Sequence, residues 1–138
     1  MRTAVDTNVI SALWSGEAAS RGMAALLGRA QNEGGLVISA PVYVELLAYP
    51  KATRGLVEEF LERTRVVTDF LLDEAVWQEA GAAYAGYAER RRRAKVDAPK
   101  RPLVDFIIGA HAVLKADRLL TLDAVRYKAA FPKLITLP

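Results

Sequence analysis

The sequence predicts a three-layer α/β/α sandwich around a central, mostly parallel sheet, folded as a single domain over residues 1–138. Three observations carry that expectation. Short apolar runs of strand length alternate with amphipathic helical stretches along the chain, an order that builds a parallel sheet with helices on both faces. A length of 138 residues suits one hydrophobic core. No repeat, linker or low-complexity segment interrupts the pattern.

The elements follow in order. "TAVD" is a short apolar run closed by polar residues, so a buried strand should end near Asp6, with Thr7 or Asn8 capping a following helical turn. Met23, Leu26, Leu27 and Ala30 recur at helical spacing and mark an amphipathic helix stopped by Gly34-Gly35, after which "LVISA" reads as a second strand. Pro41 suits the first position of a helix through "VYVELLAY" that Pro50 interrupts. A further helix in "TRGLVEEFLERT" places Leu56, Val57, Phe60 and Leu61 on one face and leads to the strand "RVVTD".

The longest helix should begin at the N-cap Asp73 and end in the arginines of "AERRRR", which suit the negative end of the helix dipole. "AKVDAPKRP" then reads as a loop delivering the chain into a helix that starts near Pro102 and carries Asp105 in its first turn. "RLLTL" is a strand with Asp123 directly after it. The short helix "AVRYKAAF" leads to the closing strand "KLITLP".

Composition narrows the chemistry. With 52% hydrophobic and 25% charged residues the chain is an ordinary globular sequence rather than a disordered one. No apolar run approaches the roughly 20 residues of a membrane span, and the N-terminus lacks a signal-peptide pattern, so a cytoplasmic protein without a membrane partner is expected. The absence of Cys and the single His remove disulfides, thiol nucleophiles, thiolate metal sites and two-His zinc motifs. Carboxylates, hydroxyls and lysines are left to do any chemistry. The net charge is only +3, but Arg90, Arg91, Arg92, Arg93, Lys95, Lys100 and Arg101 fall close together, compatible with a polyanionic partner.

Ligands of open parallel sheets bind beyond the carboxyl ends of the strands, which is where Asp6 and Asp123 should lie. Glu45 enters from the helix after the second strand and Asp105 from the start of the helix before Asp123's strand. Carboxylates brought together repel one another and call for a cation. An all-oxygen set without His or Cys selects Mg²⁺ or Mn²⁺. Metals so held activate water and neutralise phosphodiester oxygens, which makes phosphodiester hydrolysis the expected reaction.

The segments "VDTNVI", "APVYVELL", "LVDFIIGAHA" and "LLTLD" resemble the ordered acidic motifs of the PIN-domain ribonucleases, and most closely those of VapC-type toxins from bacterial toxin-antitoxin pairs. The resemblance runs from Asp6 to the final strand. It implies that Asp6, Glu45 and Asp105 are metal ligands, that Asp123 ligates a second ion or orients the attacking water, and that Asn8 and Thr121 support them. It further implies an RNA substrate, a homodimer and inhibition by a small antitoxin whose tail enters the groove. After Asp123 the sequence runs "AVRY", where many members of the family carry another acid.

Plainer roles stand beside these. Asp6 and Asp123 also suit helix caps, Asp105 suits the positive end of its helix, and the run Arg90 to Arg93 suits a solvated helix end. Gly109 suits close helix packing. His111 lies six positions beyond Asp105, about 240° around a helix, and should face elsewhere. Trp14, Trp77, Tyr84 and Tyr87 fall at helical positions and suit core or dimer surface before base-stacking platforms, options the sequence does not separate. Two other functions remain open: a phosphoryl-transfer enzyme, and a non-catalytic nucleic-acid- or partner-binding module. The first would use Asp6 as nucleophile in the manner of haloacid-dehalogenase-like phosphatases, or Asp69 as a phosphate acceptor beside Lys115 or Lys128. The second makes metal irrelevant.

Overall fold

The computed structural model describes residues 1–95 and 97–138, so Val96 of the expected loop "AKVDAPKRP" lies outside the described residues. Five short strands form one sheet: β1 (Thr3–Val5), β2 (Leu36–Ser39), β3 (Val66–Asp69), β4 (Arg118–Leu120) and β5 (Thr136–Leu137). Their order is β3-β2-β1-β4-β5 and every pairing is parallel. The expectation of a mostly parallel sheet is therefore met throughout.

Before β2 come α1 (Thr7–Ser15) and α2 (Ser20–Gly34); α3 (Ala40–Leu47) and α4 (Arg54–Arg63) precede β3. Between β3 and β4 run α5 (Glu74–Ala94) and α6 (Leu103–Lys115), and α7 (Ala124–Ala130) links β4 to β5. The chain steps outward from β1 to β3, then jumps back across the sheet to β4. Right-handed crossovers consequently set α1–α4 on one face and α5–α7 on the other. The helices pack within those two groups, with α3 also touching α6.

The core forms where the two faces meet the central strands. Val5, Val37, Ile38, Leu119 and Leu120 are fully covered, by Val9 and Ile10 of α1, Leu46 of α3 and Phe106 and Ala110 of α6 among others. Continuous burial along β1 and β2 is what a sheet covered on both faces demands. Gly109 serves close packing, as its place in the sequence suggested: a Cβ there would stand 2.2 Å from the ring of Phe131, itself 3% exposed. Asp73 caps α5 by accepting the Val76 N–H, as expected.

One boundary differs. The first helix is capped by Asp6 rather than by Thr7 or Asn8, and it runs for nine residues instead of a single turn. Asp6 has extended backbone angles, φ −79° and ψ 152°, which is the N-cap conformation, so Thr7 already begins the helix. The pairing of Val5 with Leu120 carries β1 and β4 to the same height. The first residue beyond each strand, Asp6 and Thr121, then meets the other where the strand order reverses.

Candidate metal-binding active site

All four acids singled out in the sequence line one cleft of about 470 Å³ at the carboxyl ends of β1 and β4. Asp6 comes from the β1–α1 junction, Glu45 from α3, Asp105 from the first turn of α6 and Asp123 from the residue before α7. Thr7, Asn8, Pro102, Arg126 and Tyr127 are among the residues completing the wall.

Asp6 is 5% exposed and fully hydrogen-bonded. One carboxylate oxygen accepts the Thr7 N–H at 2.8 Å and the other accepts the Thr121 hydroxyl at 2.8 Å. Burial pushes its pKa up to about 6, against the pull of those donors, and the negative charge of Asp105 adds to the rise. Among the described residues no cation forms an ion pair with Asp6. Thr121 does double duty, since its oxygen also accepts the Asp123 N–H at 3.0 Å and so ties β4's exit to Asp6.

Glu45 is half-buried and accepts the Thr7 hydroxyl at 2.6 Å, so one residue orients two acids, through its backbone N–H and its side chain. Asn8 accepts the Leu122 N–H at 3.2 Å and fastens the opposite lip of the cleft. Asp105 is half-buried, and burial raises its pKa against the opposing charges of Arg101 and Arg126. Arg101 approaches Asp105 at 3.5 Å and Arg126 approaches Asp123 at 3.1 Å. Asp123 stands at the N-cap position of α7 but makes no side-chain capping bond; its carboxylate goes to Arg126 instead.

Each of these four carboxylates thus has its own hydrogen-bond donor or arginine, and among the described residues no three acids stand close enough together to grip one ion as they are. The donor chemistry nevertheless suits a hard divalent cation: oxygen ligands only, one of them buried and without a counter-ion. Tyr127 deepens the demand. Its hydroxyl is buried beside Asp6 and, among the described residues, finds no hydrogen bond of ordinary geometry; burial together with the negative charges of Asp6 and Asp105 drives its pKa upward.

The basic cluster divides. Arg92 and Arg93 pair with Glu89 at 2.7 and 3.1 Å, and Arg91 donates to the carbonyls of Ala98 and Pro99. Arg101 turns inward, its side chain 10% exposed, stacked 5.1 Å from the Phe106 ring and 5.5 Å from the Tyr127 ring while donating to the Arg126 carbonyl at 2.7 Å. Arg90, Arg92, Arg93, Lys95 and Lys100 remain on the surface.

His111 faces away from the acids, as its angle on the helix required. It is 1% exposed, pairs with Asp69 at 3.1 Å, and burial lowers its pKa. Asp69 also accepts the Leu71 N–H, and Lys115 pairs with Asp73, so Asp69 is engaged structurally rather than set up as a phosphate acceptor. Asn8 occupies the place where a phosphatase built on Asp6 wants a second acid, and its oxygen is spent on the backbone. Trp14 is core-side, edge-on to Tyr49 and Phe60, whereas Trp77 is 51% exposed.

Sequence reasoning missed Thr7 as a side-chain support, and Arg126 and Tyr127 altogether. The last two lie three and four residues beyond Asp123 on a helix, the spacing that faces a neighbour, and could have been found that way.

Comparison with known proteins adds four findings. A family model described as PIN domain matches residues 3–132. The fold is similar to that of VapBC2 from Rickettsia felis, in a crystal structure bound to a DNA fragment from their promoter, with a TM-score of 0.67, 18% identity and coverage of 99% of this chain and 98% of that one. It is similar as well to VapBC-1 from nontypeable Haemophilus influenzae, with a TM-score of 0.64, 21% identity and coverage of 99% and 97%. No curated protein matches significantly in sequence.

Proposed function

The chain belongs to the PIN domain family, and on that premise we propose that it is a Mg²⁺- or Mn²⁺-dependent endoribonuclease, the toxin of a toxin-antitoxin pair. The observation that carries the reading is the convergence of Asp6, Glu45, Asp105 and Asp123, from four separate elements, on one cleft at the switch point of the sheet.

Asp6, Glu45 and Asp105 would hold the ion, with Asp123 ligating a second one or orienting the attacking water. The chemistry supplied by such an ion is a water made nucleophilic near neutral pH and charge relief for the phosphodiester oxygens. The protein's own part is positioning. Thr121 and the Thr7 N–H fix both oxygens of Asp6, and the Thr7 hydroxyl fixes Glu45. Asn8 holds the β4 exit, and with it Asp123, against α1. Arg101 and Arg126 orient Asp105 and Asp123 by ion pairs at 3.5 and 3.1 Å.

RNA as the substrate is supported by the exposed arginines at the end of α5 together with Lys95 and Lys100. A cognate antitoxin is supported by the two structural neighbours, both described as VapBC assemblies. Val44, Leu56, Phe70, Leu71 and Trp77 are each more than half exposed, apolar surface that suits an antitoxin and a second copy in a homodimer. No helix among the described residues is long and apolar enough to cross a membrane. A cytoplasmic site of action fits an RNA substrate.

The test is cleavage of labelled structured RNAs by the purified protein in Mg²⁺, Mn²⁺ and EDTA, with Asp6→Asn prepared in parallel. Cutting that requires both metal and Asp6 is expected. Intact RNA in every metal, or cutting that survives EDTA or the substitution, overturns the proposal in favour of a binding module.

A further inference from the structure

A second concavity, of about 300 Å³, is lined by Tyr84, Tyr87, Ala88, Arg91, Arg92 and Lys100. Its construction differs from that of the cleft: aromatic rings and cations, with no acid. The rings are held from below, both 5.1 Å from Phe106, and lie 6.2 Å apart at a 34° tilt. Arg91 sits 5.7 Å over the Tyr87 ring and is tied to the carbonyls of Ala98 and Pro99, so it closes the groove as part of its frame. The Tyr87 hydroxyl accepts the Arg101 N–H at 2.7 Å and fixes the loop to α5. Lys100 forms no ion pair among the described residues, and the pair between Arg92 and Glu89 is solvent-exposed, worth little to break.

Position decides what such a groove is for. Lys100 lines it and Pro102, two residues on, lines the acid cleft, so the Cα atoms of these two wall residues are at most about 7 Å apart. A single strand leaving the cleft past Pro102 would meet the Lys100 end of the groove. Its backbone there meets Lys100 and Arg92, and its base meets tyrosines, the combination by which proteins hold single strands without reading sequence.

We propose that this groove is a nucleotide subsite: it takes one unpaired ribonucleotide flanking the bond to be cut, its base against Tyr84 and Tyr87 and its phosphate on Lys100 and Arg92. The inference rests on the ribonuclease reading and narrows the seven-residue basic cluster of the sequence to the cations that frame aromatic surface. Arg101 is excluded from direct contact because it is buried under Tyr127 and Phe106.

The experiment measures binding rather than turnover. Asp6→Asn protein is titrated into a fluorescein-labelled single-stranded oligoribonucleotide, by anisotropy, over a range of salt. Lys100→Ala and Arg92→Ala are each expected to weaken binding and to reduce the slope of log K against log salt by about 0.7, the loss of one single-strand phosphate contact. Tyr84→Leu, which keeps an apolar side chain on Phe106, is expected to weaken binding roughly five- to hundredfold with little change of slope. Arg63→Ala, an equal charge change on exposed α4, serves as the control and leaves the slope where it was. Lys100→Ala and Arg92→Ala variants that behave like the control overturn the subsite, and if the wild-type protein still cuts RNA with metal the ribonuclease reading stands without it. A protein that cuts nothing under any metal overturns the ribonuclease reading itself.

Discussion

The two walls of the cleft hold their acids by opposite means. On the β1 side, Asp6 and Glu45 are bound by neutral donors, the hydroxyls of Thr121 and Thr7 and a backbone N–H. On the α6–α7 side, Asp105 and Asp123 face arginines. A neutral donor orients a carboxylate and leaves its charge intact, whereas an arginine orients it and cancels the charge. The first wall is therefore short of a cation. The second already has two, which an incoming ion would have to displace.

The largest expected effect comes from removing the charge that lacks a partner. Asp6→Asn should cut RNA at least about a hundredfold more slowly than wild type, the loss typical when charge stabilisation at a reacting centre is removed. The same substitution should stabilise the metal-free protein. The pKa of Asp6 is raised to about 6 in the fold, so between pH 4 and 6 the native state binds more protons than the unfolded chain. The contribution of Asp6 to stability must then fall as pH climbs through that window, by about 3 kcal/mol in all at 1.36 kcal/mol per unit. Thermal melts of both proteins in EDTA at pH 4, 5, 6 and 7 check this as a difference: the stability of wild type relative to Asp6→Asn should fall from pH 4 to 6, and a difference that stays level or grows contradicts the buried carboxylate without a cation.

Next come the hydroxyls. Thr121→Val removes a bond to a buried carboxylate and leaves the Asp123 N–H without its acceptor, and should cost about 1.5–3 kcal/mol in chemical denaturation. It should also weaken Mn²⁺ binding, measured by calorimetry, because Asp6 loses its orientation. The smallest stability effect belongs to the other wall: the pair between Arg126 and Asp123 is 49% and 32% exposed, and Arg126→Ala should change stability by less than about 1 kcal/mol. Its Mn²⁺ affinity should rise, since a competing cation has gone. The contrast between the walls is thus a difference of sign. Thr121→Val and Arg126→Ala moving Mn²⁺ affinity in the same direction would break it.

What the sequence revealed tracks how local each cause is. The acids were legible because strand ends and helix starts are read from short apolar runs, and the parallel order of the sheet carries those ends to one edge. The buried status of Arg101 was not: it follows the five surface cations Arg90, Arg92, Arg93, Lys95 and Lys100 in the sequence, and only the rings of Phe106 and Tyr127 turn it inward. The role of the Thr7 side chain was hidden for a similar reason. A Thr after a strand suits a cap, and its hydroxyl finds Glu45 only because α3 passes overhead, 38 residues later. Asp123 looked equally good as a cap and as a ligand, and a cap bond absent from α7 depends on Arg126 being within reach, which the sequence spacing permits without requiring.

The hydrogen bond from Thr121 to Asp6 joins residues 115 positions apart. At synthesis rates of roughly 5–20 residues per second, Asp6 leaves the ribosome's catalytic centre some 6 to 23 seconds ahead of the partner that orients it. Until β4 pairs with β1 the cleft has one wall, and a chain interrupted before that pairing carries three of its acids and no place to use them. For a protein proposed to cut RNA, the site assembles only once the chain has been made through Thr121 and Asp123.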